Sequence, residues 1–79
     1  MAAVETLGKL EAAALAQHAP AIVAKLKDTD VDVRMAAVQA LAQLEAAALA
    51  QHAPAIVAKL EDSDPYLREA AVKTLGQLS

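Results

Sequence analysis

EAAALAQHAPAIVAKL occupies residues 11–26 and returns without a change as residues 45–60. The correspondence continues outward at the same offset of 34 residues. KDTDVDVRMAAVQALAQL (27–44) aligns with EDSDPYLREAAVKTLGQL (61–78), and MAAVETLGKL (1–10) aligns with MAAVQALAQL (35–44). The chain is therefore about two and a third copies of one unit, with a partial unit at 1–10 and full units at 11–44 and 45–78, together one domain over residues 1–79. A fixed period of 20–50 residues marks a stacked repeat, because one such unit cannot bury its own apolar face and does so against its neighbours. Drift normally erases long identities between adjacent units. A 16-residue identity and a start inside a unit are what an excised or designed fragment would show.

Within each unit the apolar residues follow a helical period twice. Leu15, Ala19, Ile22 and Leu26 fall at steps of four, three and four, which places them on one face of a helix, and Leu49, Ala53, Ile56 and Leu60 repeat the pattern. A second helix carries Val33, Ala37, Leu41 and Leu44, echoed by Leu67, Ala71, Leu75 and Leu78, while the partial unit keeps Ala3, Leu7 and Leu10. Strand-like alternation is not sustained anywhere. The sequence predicts an all-α fold, an α-solenoid of helical hairpins.

The turn between the two helices of a unit is well marked. Asp30 and Asp64 stand where an N-cap side chain accepts from the free N–H groups of the second helix, and Pro65 follows at a first helical position, where its missing N–H is no loss. The link from one unit to the next is not marked at all. From Glu45 through Ala46, Ala47 and Ala48 there is no Gly, Pro or Asn to force a reversal, so local propensity favours running straight on. These four residues are the expected hinge. Pro20 and Pro54 then break the first helix of each unit: proline removes one hydrogen bond and crowds the preceding turn, so a short Ala-rich piece to about His52 should kink into a main body starting near Pro54.

Composition excludes several classes of function. A net charge of −3 and a pI near 5.1 oppose nucleic-acid binding, which requires clustered Lys and Arg. Tyr66 is the only aromatic residue, so there is no platform for stacked bases or sugars. No apolar run reaches the roughly 20 residues of a membrane span. No signal-like segment opens the chain, which reads as soluble, and as cytoplasmic if natural. Cysteine is absent, which removes thiol chemistry and disulfides.

The stretch D-x-D-x-x-V/L-R-x-A-A-V-x-x-L-G/A-x-L, read from 28–44 and 62–78 after a helix broken by proline, resembles HEAT repeats, closest to their short, HEAT-like variety. The resemblance covers the whole chain. It implies that Asp28, Arg34, Asp62 and Arg68, an acidic turn and a first-turn arginine six residues on in each unit, form a hydrogen-bonded ladder between neighbouring repeats. Tetratricopeptide repeats share the period of 34, but their large aromatic positions are empty here.

No group of residues has the makings of an active or metal site. His18 and His52 are one position in successive units, with no Cys or second His close in sequence to complete a zinc site, and read as partly buried structural residues. Asp28, Asp30 and Asp32 lack the Gly and terminal Glu of a calcium loop. No cofactor is expected, and no enzyme activity. The Val4, Val38 and Val72 stripe reads as the contact between adjacent repeats.

Function then belongs to surfaces. Repeat arrays need polar capping units, and apolar ends mark association sites. Val4, Leu7 and Leu10 at one end, and Val72, Leu75 and Leu78 at the other, are the expected association surface of a homo-oligomeric scaffold. Swapping offers a second route: if the hinge opens, residues 31–53 become one helix of roughly 34 Å, and the C-terminal hairpin packs on another copy. The rival reading is a monomeric binding module that presents a concave helical surface to a peptide or protein, with Met35/Glu69, Asp32/Tyr66 and Gln39/Lys73 as its variable positions.

Overall fold

The computed structural model describes residues 14–79, all of whose regular structure is helical. Residues 14–17 are helical, followed by α1 (Ala19–Lys25), α2 (Val31–Leu41), α3 (Ala46–Gln51), α4 (Ala53–Ala58), a short 3-10 turn at Lys59–Glu61 and α5 (Pro65–Gly76). Val4, Leu7 and Leu10, with the rest of the partial unit, lie outside the described residues. None of the described helices is long and apolar enough to cross a membrane.

The local signals have direct structural causes. Asp30 and Asp64 are both extended N-caps: Asp30 accepts from the Asp32 N–H at 2.8 Å and Asp64 from the Leu67 N–H at 2.9 Å. Each satisfies an N–H that has no partner within its helix. The proline kink appears in both units at the same place. His18 (φ −95°, ψ 0°) and His52 (φ −107°, ψ 6°) leave helical geometry, and the His52 N–H reaches back to Leu49 O at 3.0 Å in a 3-10 bond. His52 is half-buried. His18 is exposed, contrary to the expected partial burial.

The link at residues 42–48 reverses in the single chain, against its local propensity. Two tight bonds close the end of α2, Gln43 N–H to Ala40 O and Leu44 N–H to Leu41 O, and Glu45 then becomes extended at ψ 155° before α3 begins at Ala46. The reason is burial. Leu44 is 5% exposed and Leu49 0%. On one continuous helix these residues, five positions apart, would point about 140° away from each other, so both could not enter the same core. Tertiary packing overrides alanine's preference for helix.

The core is a single cluster in which Leu26, Val38, Leu41, Leu49, Ile56 and Leu67 are the largest fully buried side chains. Its principal contact between units is α2 against α5, the second helices of the two full units. Equivalent residues are buried unequally. Val38 is fully buried and Val72 is 59% exposed; Leu26, Leu41 and Leu44 are buried while Leu60, Leu75 and Leu78 are only partly so. The side chains are identical, so the difference comes from position in the stack: the second unit covers the first.

Candidate association surface

Three features of the joint between units bear on function: the polar seam, the groove beside it and the open side of α5.

The seam is built around Asp62. Arg34 leaves the first turn of α2 and splits its guanidinium between the two units. Its Nη1 donates to Asp28 O at 2.9 Å and to Thr29 O at 3.0 Å, within its own unit. Its Nε and Nη2 donate to the two carboxylate oxygens of Asp62, in the next unit, at 3.0 and 3.3 Å. This is a fork-to-fork arrangement that a point charge such as lysine could not reproduce. The Asp62 side chain is 6% exposed and also accepts the Asp64 N–H at 2.9 Å, with Lys59 Nζ at 4.0 Å. The Asp64 backbone hydrogen bond first, then the Arg34 hydrogen bond and charge and the Lys59 charge, hold its carboxyl below the usual carboxylate range, against an opposing effect of burial. Among the described residues no buried side-chain polar atom is left without a partner.

The same seam is half-made one unit further on. Arg68 repeats the bond within its own unit, Nη1 to Asp62 O at 2.7 Å, but among the described residues no carboxylate meets its Nε and Nη2. Asp28 caps its own turn through the Asp30 N–H at 2.9 Å. Asp28, Arg34, Asp62 and Arg68 thus meet in one joint: Arg34 and Arg68 reach Asp62 from the two sides, and Asp28 takes part only through its carbonyl.

Beside this seam α2 and α5 leave an open groove of about 400 Å³, with Val38 on its floor, Met35 and Gln39 on one wall and Tyr66, Glu69 and Lys73 on the other. Tyr66 is 73% exposed. Glu69 and Lys73 are exposed and pair along the helix at 3.3 Å. Five of these six residues are positions at which the two units differ. Thr74, where the first unit has Ala40, was not distinguished by sequence reasoning; it is buried and satisfied by donating its hydroxyl to Ala70 O at 2.8 Å. Only the replacement of alanine by a hydroxyl residue at a helix position facing a neighbour could have drawn attention to it.

The open side of α5 is smaller than the sequence suggests. Leu75 and Leu78 turn inward and pack on the core, because they share the buried face with Leu67 and Ala71. Val72 lies off that face and stays exposed. No cluster of His, Asp and Glu suited to a metal ion occurs among the described residues.

Paired helices stacked through equivalent positions, with the contact made between second helices, define an α-helical repeat protein. The sequence model of HEAT repeats matches residues 19–79, and the chain belongs to the HEAT repeat family. Comparisons with curated proteins and with solved structures return no match. HEAT repeats are in general scaffolds for protein interactions.

Proposed function

We propose that this chain is a non-enzymatic scaffold whose main activity is association with copies of itself through the open side of α5. The observation that carries the reading is the contrast between Val38 and Val72. A repeat face that is fully buried where a neighbour covers it is 59% exposed where none does, and Arg68 beside it keeps donors with no carboxylate opposite among the described residues. Apolar surface next to unpaired but directional polar groups favours a specific neighbour over random adhesion. In this reading Asp28, Arg34, Asp62 and Arg68 are the inter-repeat ladder, and Val72 is the centre of the association surface.

Sedimentation equilibrium from micromolar to millimolar concentration tests it. The mass should rise with concentration for the wild type and stay at one chain for Val72→Glu, whose fold should be unaffected because the site is exposed. A wild-type mass of one chain throughout would defeat the proposal. The hinge at Glu45, Ala46, Ala47 and Ala48 supplies a competing route: a swapped dimer would persist in Val72→Glu and be abolished by Pro at Ala46.

The groove supports a second reading, that of a monomeric module for a peptide or protein partner. Tyr66 at its rim is the kind of exposed aromatic on which recognition surfaces are built. A chain that remains monomeric yet loses capture of a defined peptide on Tyr66→Ala would favour that reading.

A further inference from the structure

The open side of α5 has a counterpart inside the chain, the side of α2 that carries Val38 and that α5 covers. The covering face of α5 brings Ala70 and Thr74 to the groove floor at Val38, while Lys73 stands on the groove wall with Gln39 of α2 on the other. What covers Val72 must therefore resemble that face of α5.

Residues 1–10 do. MAAVETLGKL matches EAAVKTLGQL (69–78) at seven of ten positions, with Ala2 at the place of Ala70 and Thr6 at the place of Thr74. The three differences are Met1 for Glu69, Glu5 for Lys73 and Lys9 for Gln77. The second is the informative one. Within the chain the groove that Lys73 lines from α5 is lined from α2 by the neutral Gln39. One unit further on, the counterpart of Gln39 is Lys73 itself, and the counterpart of Lys73 in 1–10 is Glu5. A second α5 in the same place would set lysine against lysine.

We propose that residues 1–10 of a second copy dock along the Val72 side of α5 as the next helix of the stack, with Ala2 and Thr6 over Val72 and Glu5 beside Lys73. This rests on the self-association reading and names its occupant. The two surfaces are different, so the contact is heterologous. Each added copy presents a new open α5, and growth is open-ended rather than closed at a dimer.

The absence of cysteine from the chain gives a clean test. Full-length Val72→Cys and Thr6→Cys chains are mixed and oxidised. The mixed disulfide should form several-fold faster than either chain pairs with itself, and faster than Thr6→Cys pairs with a Val57→Cys control, which is similarly exposed on α4. Lys73→Glu in the Val72→Cys chain should slow the mixed disulfide, and Glu5→Lys in the Thr6→Cys chain should restore it. Val72→Cys pairing with itself as fast as with Thr6→Cys would mean tail-to-tail dimers and overturn the proposal. A mixed rate no greater than the Val57→Cys control, in a chain whose mass still rises with concentration, would overturn it while leaving self-association standing. A mass of one chain at all concentrations would remove both.

Discussion

Replacing Val38 and Val72 by alanine, one at a time, measures the joint between units with the chemistry held constant. Both residues follow Ala-Ala and occupy the same position of a second helix. Val38 is 0% exposed and Val72 59% exposed. Removing two methyl groups from a fully buried site forfeits about 1.6 kcal/mol of transfer free energy at about 0.8 kcal/mol per group. Incomplete collapse of the space adds about 1 kcal/mol, and alanine's better helix propensity returns about 0.5 kcal/mol. Val38→Ala should therefore destabilise by about 2 kcal/mol. At Val72 less than half the transfer term applies, roughly 0.6 kcal/mol, and the propensity gain nearly cancels it. The assay is urea unfolding followed by circular dichroism, at a concentration where the mass is that of one chain. With a slope of roughly 1 kcal/mol per molar urea, Val38→Ala should lower the midpoint by about 2 M and Val72→Ala hardly at all. Equal shifts in the two variants would refute the reasoning, because they would mean that α5 does not cover α2.

Arg34→Ala should destabilise by about 1–3 kcal/mol, since it empties a two-oxygen fork on the nearly buried Asp62, whereas Arg68→Ala, which loses one carbonyl bond, should lose less than half as much. Chemical denaturation of both variants checks the ordering. The Asp62 carboxyl titrates below the ordinary carboxylate range in the folded chain, so its contribution is complete above the unfolded pKa and is lost as pH falls through the folded one. The stability difference between wild type and Asp62→Asn should thus be constant near neutrality and shrink below about pH 4; a difference that grows on acidification would contradict the assignment. Asp64→Ala removes a cap and should cost about 1 kcal/mol, while Lys73→Ala breaks only an exposed pair along a helix and should stay within about 0.5 kcal/mol in thermal melts.

Much of the architecture was written locally. The identity of 11–26 with 45–60 gave the stacking, Asp30, Asp64 and Pro65 marked the starts of α2 and α5, and Pro20 and Pro54 placed the kinks. The reversal at Glu45 was less legible, because nothing in EAAALA opposes helix; it exists only because Leu44 and Leu49 must both reach one core. The exposed side of α5 was legible in outline but not in extent. Val72, Leu75 and Leu78 read alike in the periodic pattern, yet Leu75 and Leu78 share the face of Leu67 and Ala71 and pack inward. The burial of Val38 against the exposure of Val72 could not be read from the residues themselves, which are the same; a neighbour decides it. The seam was legible as residue types at a spacing of six, but the pairing that crosses the joint, Arg34 to Asp62, spans 28 residues and depends on how the units stack.

The most direct test of the account follows the valine methyl groups by nuclear magnetic resonance with a soluble paramagnetic agent. In dilute solution the Val38 methyls should be shielded and the Val72 methyls strongly relaxed, and on raising the protein concentration Val72 alone should become shielded. Equal relaxation of the two valines in dilute solution would contradict the stacked joint, and a Val72 that stays exposed at the highest concentration would contradict the proposed self-association through α5.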